Sequence, residues 1–163
     1  MTAAKARREL AVDAAVLALA AGAIHVVAAV GHASEWWLHS VFFGLLAAAQ
    51  LAWGVLVYRG AGARLLAAGA VASFAVILIW ALSRTAGLPF GPEAGAAEPV
   101  GPLDVLATLD ELATVALVLA LLRYPRLRPG ALRAVARVAP VVGVVLAMLS
   151  LLSLTLGGHP HEH

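Results

Sequence analysis

Four stretches of this chain run on without a single Asp, Glu, Lys or Arg: Ala14 to Ser34, Trp36 to Tyr58, Leu65 to Ser83 and Val138 to His161. An α-helix needs ~20 predominantly apolar residues to cross the hydrocarbon core of a bilayer, and each stretch is of that order. A fifth stretch, Leu103 to Leu122, has the same length but carries Asp104, Asp110 and Glu111 in its first half. The runs are rich in Ala and Leu and show no period-2 alternation, which excludes a closed barrel and leaves helices as the way to satisfy the backbone in lipid. Composition agrees: 63% of the residues are hydrophobic and 12% charged, with a mean hydropathy of +0.95, whereas soluble domains carry ~25% charge. The expected fold is all-α, a polytopic membrane bundle with helices at about 10–31, 36–57, 64–84, 103–123 and 135–157. These form one transmembrane domain over 1–157, with a loop at 85–102 and a His-rich tail at 158–163.

Orientation follows from the bases. Lys5, Arg7 and Arg8 precede the first span, Arg59 and Arg64 join the second to the third, and Arg123, Arg126, Arg128, Arg133 and Arg137 flank the connection from the fourth to the fifth. Ten of the eleven bases therefore share one side, which the positive-inside rule makes cytoplasmic. The expected topology is N-in/C-out in the plasma (inner) membrane, with the lipid bilayer as the main partner. Ala21-Gly22-Ala23 resembles a signal-peptide cleavage site, but Asp13 breaks the early apolar run and apolar residues continue to Val30, so the first span is expected to be retained.

Several chemistries are excluded at the outset. Despite a pI near 9.7 the formal charge is only +2, and the bases fall between apolar runs rather than along one polar face, so nucleic acid is not an expected partner. There is no cysteine, hence no disulfide, thiolate nucleophile or iron–sulfur cluster. No GxSxG elbow is present and the sole lysine, Lys5, lies outside the spans, which removes the common forms of covalent catalysis. No enzymatic reaction is assigned from the sequence.

The polar residues that remain collect at the other, outer side. His25, His32, Glu35 and His39 surround the turn between the first two spans. At ~1.5 Å per residue, His25 lies ~10 Å inside the first span and His39 one turn inside the second, while Asp110 and Glu111 reach a similar depth in the fourth. Ionisable residues at such depth are costly and usually face a partner in the bundle interior. Imidazole and carboxylate without sulfur suit Zn, Cu, Fe or Ni as divalent ions. The expected metal site is built on His25, His39 and Glu111, with His32, Glu35, Asp104 and Asp110 as supporting or alternative ligands. Ordinary hydrogen-bonded packing and a proton relay through the same residues are the competing readings. Gln50 and Asp13 could prolong a polar path, but single polar residues of this kind more often cement helix packing.

Arg84 is the one base on the outer side, and Glu93, Glu98 or Asp104 could clamp it bidentately. Snorkelling to the interface explains it equally well. Trp36, Trp37, Phe42, Phe43, Trp80 and Phe90 form the aromatic belt expected at a bilayer surface. In the tail, His159, His161 and His163 make a flexible tract able to bind transition metals weakly. Ser34 or Glu35 is expected to cap the second helix.

The segment Trp80-Ala-Leu-Ser-Arg-Thr-Ala-Gly-Leu-Pro-Phe-Gly-Pro-Glu-Ala-Gly, followed by Glu98, Gly101 and Asp104, resembles a stretch recurring in small, uncharacterised multi-pass bacterial membrane proteins. The resemblance covers the third and fourth spans with their loop. It implies a membrane protein with an ordered loop and assigns no role to any residue. Taken together, the residues point to a divalent transition metal held near the outer face, for metal handling, sensing or a metal-assisted reaction. The alternatives are b-type haem electron transfer, with His25 and His39 as axial ligands, and a non-catalytic membrane assembly subunit.

Overall fold

The computed structural model describes residues 2–123, and over them the chain folds into four long helices without a strand. Helix α1 spans Ala3–Gly31, α2 Trp37–Tyr58, α3 Ala63–Thr85 and α4 Pro102–Arg123. Each is long and apolar enough to cross a membrane; at ~1.5 Å per residue even the shortest reaches ~33 Å. The fifth span expected at 135–157 and the tail at 158–163 lie outside the described residues. The outward-facing side chains are themselves large and apolar, among them Leu45, Val71, Phe74, Leu78 and Leu112. Such a surface is costly in water and natural in lipid.

α1 starts well before the expected residue 10, because Thr2 caps it and accepts from the Lys5 backbone N–H at 3.3 Å. It is the central helix, packed against both α2 and α4, and α4 packs in turn against α3. Small residues let α1 and α2 approach closely. A Cβ on Gly54 would stand 3.1 Å from the Ala15 carbonyl oxygen, and one on Gly22 would stand 2.9 Å from the Leu51 side chain. Leu10, Leu17, Ile24, Val57, Val118 and Leu121 contribute to the buried core.

α2 and α3 are joined by a tight turn through Gly60, whose φ of +101° favours glycine. Near that turn they are pinned by Trp53, which donates its indole N–H to the Leu65 carbonyl at 2.8 Å and lies over Gly69. Elsewhere α2 and α3 touch little, so among the described residues the two helices part at the other end of the bundle.

The turn from α1 to α2 is a short 3-10 segment, His32–Ser34. Neither Ser34 nor Glu35 caps α2: the N-cap is Trp36, in extended backbone and with no side-chain cap. Glu35 is diverted because its carboxylate accepts from the His32 imidazole at 2.6 Å, a charge-assisted partner that competes with an exposed backbone N–H. Residues 86–101 fold back on α3 through the Glu98 N–H to Ser83 carbonyl bond at 3.0 Å, and on themselves through Gly95 N–H to Leu88 carbonyl at 2.8 Å. Pro102 then opens α4 at a position where no N–H is needed. Asp104 accepts from the Gly101 N–H at 2.8 Å, forming half of a capping box.

Candidate metal centre

At the end of the bundle where α2 and α3 part, the helices and the 86–101 segment enclose a cavity of about 590 Å³. Its polar residues fall into three groups, and the grouping differs from the one read off the sequence.

The first group is His32, Glu35 and His39, each offering a ligand atom within 4.8 Å of the other two. His32 and Glu35 come from the 3-10 turn, where a spacing of three puts them side by side, and His39 stands on the first turn of α2. The His32 and His39 rings meet edge to face at 5.4 Å, and Trp36 packs on His39 at 4.8 Å. All three residues line the mouth of the cavity. His39 thus joins His32 and Glu35 rather than His25 and Glu111, because the 3-10 turn brings the start of α2 against the end of α1.

The second group lies two helical turns deeper. His25 is 4% exposed and Glu111 1%, and Gln50 of α2 joins them. The His25 Nδ1–H donates to Gln50 Oε1 at 2.7 Å, and Gln50 Nε2 donates to the Glu111 carboxylate. That bond fixes the orientation of the His25 ring and places a proton on Nδ1. The buried Ser73 hydroxyl of α3 lies against the same carboxylate. Gln50 is the one side-chain amide in a chain without asparagine. That singularity is the signal from which its bridging place could have been suspected.

The third group is Arg84, which pairs with Glu98 through Nη1 and with Asp104 through Nη2, the latter at 2.9 Å. Glu93 lines the cavity and makes no pair with Arg84 among the described residues. Asp110 turns away from the cavity, about a quarter-turn from Glu111. Both of its oxygens are buried with no hydrogen-bond partner among the described residues. His159, His161 and His163 lie outside the described residues.

Phe43 separates the upper and lower groups. It stacks on His25 at 5.7 Å and on His32 at 5.4 Å, with interplanar angles of 14° and 16°. His25 and His32 are seven residues apart, ~10.5 Å along a helix, so a ring at those two distances stands between them. A haem bridging His25 to the histidines above would need the space that this phenyl ring fills.

Comparison of the chain with protein-family models, curated proteins and solved structures returns no match.

Proposed function

We propose that this is a plasma-membrane protein that captures a divalent transition metal ion at His32, Glu35 and His39, on the extracytoplasmic side. The observation that carries this reading is the convergence of two imidazoles and one carboxylate at the mouth of a cavity. Ligand atoms around a tetrahedral ion with bonds of ~2.0–2.1 Å stand ~3.3 Å apart. Closing on an ion thus asks only for modest side-chain rotation, and Glu35 is exposed enough to make it. Three protein ligands leave coordination positions open, as in catalytic or transfer sites rather than structural ones. Two His and one carboxylate suit zinc as well as non-haem iron(II). The outer placement rests on the ten bases at the opposite side.

The test is metal titration of the detergent-purified, chelator-stripped protein with Zn(II) and, without oxygen, Fe(II). One tight equivalent is expected, lost in Glu35→Ala and His39→Ala and retained in a chain ending at Gly158. A tight equivalent that survives both substitutions, or that vanishes with the tail, overturns the assignment. A reporter fused after His163 is expected to be active only outside the cytoplasm; activity inside would overturn the orientation.

A further inference from the structure

The body of the cavity below the metal ligands has a different character. Its walls carry Phe42 and Phe43 from α2, Trp80 from α3, and Trp36 and Phe90 from the two connections at the mouth. Among the described residues its lining also holds five carboxylates, Glu35, Glu93, Glu98, Asp104 and Glu111, against one arginine. That arginine is already engaged: Glu98 and Asp104 both bind Arg84. Glu93 is exposed at the rim and Glu35 belongs to the upper group, so the deep, uncompensated carboxylate is Glu111.

Glu111 is 1% exposed, and its contacts from Gln50 and Ser73 are neutral dipoles. A carboxylate buried in such a place gains from a positive charge brought beside it, and among the described residues the cavity is lined by no lysine and by no arginine other than Arg84, its remaining basic groups being His25, His32 and His39. Aromatic faces attract cations through their quadrupoles, most strongly where water is excluded. A volume of about 590 Å³ falls within the ~300–1,000 Å³ of small-molecule pockets, far larger than a bare ion needs. The parting of α2 from α3 at this end gives a bulky apolar molecule a way in.

We propose that the cavity binds a hydrophobic organic cation, its charge directed at the Glu111 carboxylate and its apolar body held between Trp80 and the Phe42–Phe43 pair. Gln50 fixes one carboxylate oxygen in place, so the charge is aimed before the ligand arrives. This site is separate from the metal ligands at the mouth, and its occupancy requires no metal.

The probe is tetraphenylphosphonium, measured by equilibrium dialysis and tryptophan fluorescence on the full chain in detergent, with EDTA present so that metal plays no part. Saturable binding of one equivalent is expected, unaffected by an excess of the similarly shaped, neutral triphenylphosphine oxide. Glu111→Gln is expected to weaken binding about tenfold or more, and Glu111→Asp by less. Trp80→Ala should weaken it and Trp80→Phe should largely restore it. Absence of saturable binding, or equal displacement by the neutral compound, overturns the proposal on the unmodified protein alone, whatever the variants do. Unchanged affinity in folded Glu111→Gln overturns it equally.

Discussion

Gln50 donates to Glu111 although α2 and α4 scarcely touch and α1 packs against both, so a single amide spans the interior between two helices. The same amide accepts from His25, and it therefore satisfies two buried groups at once. Replacing it with methionine keeps the volume and removes both bonds. Each orphaned group costs ~1–3 kcal/mol in a protein interior and less in a membrane bundle. Gln50→Met should lower stability by about 1–3 kcal/mol in total, read as a reduced thermal midpoint in detergent. An unchanged midpoint would show that the bridge contributes nothing to folding.

Arg84 fastens the 86–101 segment from two directions, because Glu98 lies within that segment and Asp104 lies on the first turn of α4. Arg84→Ala leaves both carboxylates without their cation. Amide hydrogen exchange across 86–101 should accelerate while exchange in the helices stays slow. Arg84→Lys should recover only part of the protection, since an ammonium is a point charge and cannot present two fixed N–H groups to two partners. Full recovery by lysine would refute the geometric argument.

Gly69 is glycine for the sake of Trp53. A Cβ there would overlap the indole that donates to the Leu65 carbonyl, and overpacking of this kind typically costs ~1–3 kcal/mol. Gly69→Ala should destabilise the protein by about that amount. Added to Trp53→Ala, however, it should do little further harm, because the indole it collides with is already gone. Additive losses in the double variant would mean that the two positions are not coupled.

Metal affinity at the His32, Glu35 and His39 group should depend steeply on pH. A metal takes the unprotonated imidazole and the ionised carboxylate, so protons compete for the same atoms. Affinity should fall as the solution is acidified, because every proton taken up by a ligand atom must be released before the ion can bind there. Zn(II) titrations between neutral and mildly acidic pH will show this slope. A flat profile would exclude two histidine ligands.

Much of the architecture was legible before any coordinates. A helix in lipid must satisfy its own backbone and cover it with apolar side chains, so uncharged runs report spans directly. The four runs between residues 10 and 123 fall on α1 to α4 with ends displaced by a few residues. The start of α1 was the largest displacement, because a capping threonine and a charged first turn extend a helix into water without any apolar signal.

Which polar residues meet was another matter. Depth along a helix follows from a constant rise per residue, and it places His25 and Glu111 at one level; direction around the helix depends on how neighbouring helices are rotated, which no single run records. The 3-10 turn at His32–Ser34 sent His39 to His32 and Glu35 instead of to His25, and Phe43 came to stand between the two groups. Asp110, adjacent to Glu111, was turned out of the cavity by the 100° step of the helix. Gln50, a lone amide that reads as packing when taken by itself, became the link between His25 and Glu111 once α2 and α4 were set against α1. The sequence alone determined which runs form helices long and apolar enough to cross a membrane and how far along its helix each polar group lies. Tertiary packing decided which of those groups face one another, because that choice is made by the rotation of whole helices about contacts many residues apart.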